Sequence, residues 1–81
     1  MKTHELKTWP VFYNAISRGL KTFELRKNDR DFQAGDKLIL KEWSPKTEKY
    51  TGLFMTKDVK YILHGSGKLG LKKGYCIMSL D

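Results

Sequence analysis

The chain has one cysteine, two histidines and two prolines among 81 residues, and each scarcity removes a class of protein. A lone Cys76 cannot form an intramolecular disulfide, so a reducing, intracellular compartment is expected. His4 and His64 share no spacing with other ligand-type residues, which leaves no zinc site of the usual Cys/His kind and no Ser-His-Asp or Cys-His nucleophilic set. Each histidine reads as a surface or sheet-edge residue, and no metal or cofactor is expected. No apolar run approaches the length of a bilayer span, and Met1 to Lys7 lacks the apolar stretch of a signal peptide. A cytoplasmic protein with no membrane association is expected.

Acidic residues are also scarce. Nine Asp and Glu stand against sixteen Lys and Arg, a formal charge of +7, and a positive balance of this size favours nucleic acid or another polyanion as partner. A basic domain that binds nothing anionic is the bland alternative. The length allows one domain, residues 1–81, and a chain this short buries only roughly 60 to 65% of its unfolded surface. Its core must lean on the aromatics, which number two Trp, four Tyr and four Phe.

Trp9, Phe12, Tyr13 and Ile16 follow the i, i+3, i+4, i+7 spacing of an amphipathic helix. Pro10 suits its first turn and Gly19 its left-handed stop, so a helix is expected from about Pro10 to Arg18. His4 to Lys7 reads as an edge strand before it. Lys21 to Arg26 reads as a strand after it, with Phe23 and Leu25 on the core face and Thr22, Glu24 and Arg26 on a charged face. Lys27 to Asp31 is a polar loop whose Asn and Asp can bond their own backbone. Lys37 to Trp43 is a strand buried on both faces at its start, Ser44 to Gly52 a hairpin tip, and Leu53 to His64 a long return strand with Val59, Tyr61 and Leu63 on one face. Tyr75 to Leu80 closes the chain as a last strand. One helix near the N-terminus and five to six short strands predict an α+β fold built on a strongly curved sheet or small β-barrel.

Gly65 to Gly70 spells G-x-G-x-x-G, but the dinucleotide fingerprint needs a following helix and an acidic residue about 20 positions on, and the chain has room for neither. A flexible loop is the reading that fits, with Lys68, Lys72 and Lys73 able to touch phosphates. Cys76, in an apolar strand, reads as a small buried hydrophobe. Gly19 to Arg26 is the candidate site: Lys21 and Glu24 can pair, and Arg26 can clamp a phosphate or carboxylate. An ordinary solvated strand face is the alternative that spacing leaves open.

Gly19, Lys21, Glu24 and Arg26 form the G-x-K-x-x-E-x-R pattern, and Gly35-Asp36 before an apolar strand resembles the Gly-Asp turn of the same fold. In these residues, and in element order over nearly its whole length, the chain resembles the activating signal cointegrator homology (ASCH) domains of the PUA-like superfamily, in a small branch found in bacteria and phages. The resemblance implies a PUA-like β-barrel with a helix lying at a cleft, and a role in RNA binding. It implies that Lys21, Glu24 and Arg26 line the cleft, with Lys27 and Arg30 at its rim. Lys68, in the glycine-rich loop, is a further candidate nucleic-acid contact. RNA or a nucleotide is the expected partner; nothing in the pattern speaks to oligomeric state.

A group of small ASCH proteins is enzymatic, releasing acetyl from N4-acetylcytidine with a lysine-activated threonine and a glutamate. Lys21 matches the lysine, but Glu24 stands where those enzymes carry the threonine. Thr22 faces the same way two positions earlier, so Lys21, Thr22 and Glu24 are weak catalytic candidates for the alternative of an acylated-nucleoside hydrolase. A protein interaction module using the hairpin tip is the third possibility.

Overall fold

The computed structural model describes residues 1–81. Five strands and one helix follow in the order β1 (Thr3–Thr8), α1 (Pro10–Ser17), β2 (Phe23–Lys27), β3 (Lys37–Ser44), β4 (Lys49–His64) and β5 (Tyr75–Leu80). Pro10 sits at the first helical position, where no hydrogen bond is lost. At the other end Gly19, at φ +74°, lets Leu20 N–H bond the Ala15 carbonyl at 2.9 Å and Gly19 N–H bond Ile16 at 3.0 Å. This paired closure stops the helix after two turns and turns the chain toward β2.

The strands form one sheet in the order β1-β3-β4-β5-β2. β1 runs parallel to β3, and every other pair is antiparallel. The 16-residue β4 organises the whole: its first part, to Asp58, pairs with β3, and its last part, from Val59, pairs with β5. A register shift between Val59 and Tyr61 marks the change of partner. An extra residue at such a bulge bends and twists a strand, so β4 carries the sheet from one half to the other.

The sheet is open. No ladder joins β1 to β2, so the closed barrel expected from the strand count does not form. Side chains cross this seam instead. Arg26 Nη2 donates to the Lys7 carbonyl at 2.9 Å, and Arg30 Nη1 donates to the Glu5 carbonyl at 2.7 Å. These are edge carbonyls of β1 that a closing strand would have used, and guanidinium groups satisfy them here.

The core is thin, with 14 of 81 residues buried. Leu6, Ile16, Phe32, Leu38, Leu40, Val59, Cys76 and Met78 form its one cluster. Two strand readings are corrected. Tyr61 is 67% exposed although Val59 is buried, because the bulge between them breaks the alternation. β3 is buried on one face only, through Leu38, Leu40 and Glu42. His4 lies on the edge strand but points inward, where Nε2 meets Asp36 Oδ2 at 2.9 Å; it is not a surface residue.

The Gly65–Gly74 segment leads straight into β5, with Gly65 N–H on the Tyr75 carbonyl at 2.8 Å. No helix follows it, in keeping with its reading as a loop. A Cβ at Gly65 would overlap the Lys72 carbonyl oxygen. Gly65→Ala is therefore expected to cost about 1–3 kcal/mol by forcing this backbone apart, read as a lower urea midpoint. A midpoint equal to wild type would show that the loop yields freely.

Candidate functional site

The pairing of β2 with β5 decides which of its side chains reach the interior. Glu24 is opposite Met78 and Arg26 opposite Cys76, both fully buried, whereas Phe23 and Leu25 are opposite Ser79 and Ile77. Directly opposed residues share a face, so Glu24 and Arg26 point inward with Met78 and Cys76. The expected faces of β2 are thus reversed: Phe23 is 44% and Leu25 53% exposed, while Glu24 is 3% exposed. Hydrophobic character misassigned the strand because its apolar side forms part of a cleft and its charged side is internally paired.

Glu24 Oε1 accepts from Lys21 Nζ at 2.8 Å, and Oε2 accepts from Arg26 Nε at 2.7 Å. Lys21 Nζ also donates to the Phe23 carbonyl at 2.9 Å. Its ammonium lies 5.0 Å from the Phe23 ring centroid and 5.4 Å from that of Phe12. A buried carboxylate is tolerated when both oxygens are paired in this way, and each cation keeps spare capacity. Lysine has three donors and arginine five; two and two of these are engaged, counting Arg26 Nη2 on Lys7. One carboxylate between two cations leaves this group with net positive charge and unused N–H groups.

Above the triad lies a cleft of about 450 Å³ lined by Lys7, Thr8, Trp9 and Phe12 on one side and by Lys21 and Phe23 to Arg26 on the other. It occupies the open seam between β1 and β2. Trp9 and Phe12 are 48% and 47% exposed, which is why the helix buries only Tyr13 and Ile16 of its apolar positions. The amphipathic spacing set both rings on one apolar face with Tyr13 and Ile16, and the structure divides that face between core and cleft. An eight-residue helix carrying four large apolar groups was the available sign that some serve another surface.

The other expected site residues are dispersed. Thr22 is exposed, does not line the cleft, and uses its carbonyl to accept Leu80 N–H at 2.9 Å. Lys27 is exposed at the end of β2, and Arg30 is exposed while bound to Glu5. Lys68 is exposed in the loop and is not among the lining residues. No group of three His, Cys, Asp or Glu side chains converges to hold a metal ion. Burial pushes the Cys76 thiol up from its ordinary pKa, which suits a packing role. Burial, and then the nearby Glu42 charge, push the Tyr13 hydroxyl up.

Fold and site together define a small, mostly β domain whose curled sheet leaves a charged, aromatic-walled cleft between its two edges. The chain belongs to the family described as "Domain of unknown function (DUF3850)", whose model matches residues 3–80. It is also similar to the "Uncharacterized 12.9 kDa protein in GpA 3'region" of Escherichia phage P2, with 43% identity over 42 residues. That match covers 52% of this chain and 38% of the phage protein, so well under half of the relative is represented. No helix is long and apolar enough to cross a membrane.

Proposed function

We propose that this domain is a PUA-like RNA-binding module that holds one nucleotide of an RNA strand in the cleft over Lys21, Glu24 and Arg26. The observation that carries the reading is the combination of exposed rings at Trp9, Phe12 and Phe23 with unused donors on Lys21 and Arg26 beneath them. Aromatic faces stack unpaired bases, and cationic donors meet base carbonyls or phosphates. The volume suits a small-molecule-sized group. Lys27 and Arg30 supply positive charge near the ends of the seam, and the formal charge of +7 favours a polyanion. The PUA-like part of the proposal is supported by a curled sheet whose seam is occupied by the motif residues.

An acylated-nucleoside hydrolase has weaker support. The Lys21 ammonium is held by Glu24 and the Phe23 carbonyl, and Thr22 lies outside the cleft; a nucleophile and its base need mutual reach.

Binding of a labelled single-stranded RNA, followed by fluorescence anisotropy, tests the proposal. Affinity is expected to fall steeply with added salt, and Arg26→Ala to weaken it about tenfold or more by removing charge-assisted donors. Failure to retain any RNA from a mixed pool at low ionic strength would refute it.

A further inference from the structure

We infer that the outer face of the β1, β3 and β4 half-sheet is a second stacking surface that carries single-stranded RNA onward from the cleft, an inference that rests on the cleft reading above. Register places Lys7 beside Lys41 and Lys41 beside Phe54 in one row, and beyond a register shift Trp43 lies beside Tyr50, on the same side because Lys7 rests over Trp43 and Lys41 over Tyr50. All five side chains share the face opposite the buried Leu6, Leu38 and Leu40. Tyr50 is 52% and Phe54 65% exposed. In a chain whose core is so thin, these rings are aromatic surface that folding has left unused.

The charges decide what covers them. Lys7 Nζ lies 4.2 Å from the Trp43 ring centroid, and Lys41 Nζ lies 4.9 Å from that of Tyr50. Lysine is depleted from the centres of protein–protein interfaces, yet here ammonium groups rest on two of the rings. Interleaved cations and aromatics are what a single strand requires, since bases stack on the rings while phosphates meet the ammonium groups. A base stacked on Trp43 or Tyr50 outweighs an exposed cation–π contact on the same ring. Lys7, which has no carboxylate partner, is then free to pair with phosphate once a base displaces it from Trp43. The carboxylates of this face are already matched, Glu5 with Lys41 at 3.3 Å and Asp58 with Lys37 at 3.6 Å. Lys7 also lines the cleft, so the two surfaces are continuous through one side chain.

The test compares a trinucleotide, long enough for the cleft alone, with an oligouridylate of about twelve nucleotides, on wild type and on the Tyr50→Ser/Phe54→Ser double variant. Both positions are more than half exposed, so the variant should melt as wild type does, which a thermal scan checks. Wild type is expected to bind the longer strand more tightly, and the double variant to lose about tenfold or more on that strand while binding the trinucleotide unchanged. Equal binding of the longer strand by both proteins overturns the inference and leaves the cleft reading standing. If wild type binds neither oligonucleotide, both readings fail. A protein partner that is retained after nuclease treatment and lost in the double variant also overturns it, by assigning the face to protein docking.

Discussion

Glu24→Ala is expected to lower unfolding stability by roughly 2–4 kcal/mol and to weaken RNA binding together with it. The carboxylate is the common acceptor of Lys21 and Arg26, and its side chain is 4% exposed. Removing it leaves two cations facing each other across a cavity in the wall of the core. The loss falls below that of breaking a fully buried ion pair, because Lys21 and Arg26 keep 18% and 28% side-chain exposure and can turn toward water. Glu24→Gln retains an acceptor oxygen of the same shape and should cost less, yet it should still disturb the cleft by freeing one cation from its position. Urea unfolding of the two variants reads the difference. A loss below about 0.5 kcal/mol for the alanine variant would mean that the triad is not the buried network described, since that is the range of ordinary surface substitutions.

The second large effect is expected at the other end of the sheet. Asp36 is 2% exposed, and burial by itself would raise its pKa. Hydrogen bonds from Lys2 N–H at 2.9 Å, His4 Nε2 at 2.9 Å and Gln33 N–H at 3.0 Å outweigh the effect of burial and bring it down to about 2. A carboxyl depressed in the folded state, against an unfolded value near 4, contributes stability that is complete above the unfolded value. That contribution is lost as pH falls through the window from about 4 to about 2. Asp36→Ala should therefore cost roughly 2–4 kcal/mol at neutral pH, because three donors lose one acceptor. The Asp36→Asn variant should show a shallower fall in stability across the same pH window than wild type. Parallel pH profiles for wild type and the asparagine variant would contradict the assignment of that acid sensitivity to Asp36.

The elements were legible where local chemistry is decisive. Pro10 and Gly19 bracket the helix to within a residue, because a missing N–H and a left-handed stop depend on the chain itself. The Asn28 turn was readable for the same reason: its side chain holds Phe32 N–H at 3.0 Å. Faces and closure were harder. That Glu24 points inward depends on its register against Met78, set by a strand more than fifty residues away in sequence. The exposure of Tyr61 depends on a bulge that no residue type in β4 announces.

The site was half legible. The G-x-K-x-x-E-x-R spacing brought forward Lys21, Glu24 and Arg26, and these three converge. Thr8, Trp9 and Phe12 were missed as cleft residues because they lie at the end of β1 and the start of α1, beside the opposite edge of the sheet, and only the bend in β4 brings that edge round. Thr22 was included for its alternation with Glu24, which ends where β2 begins at Phe23.

The central claim is that the seam between β1 and β2 is a nucleotide-binding cleft. Titration of single-stranded RNA into isotope-labelled protein, followed residue by residue in amide NMR spectra, tests it most directly. The account predicts that shifts at low ionic strength concentrate on Lys7 to Phe12 and Lys21 to Arg26, with the Glu24 and Arg26 amides among the most affected. Spectra that do not change, or shifts confined to the Gly65–Gly74 loop, would contradict it.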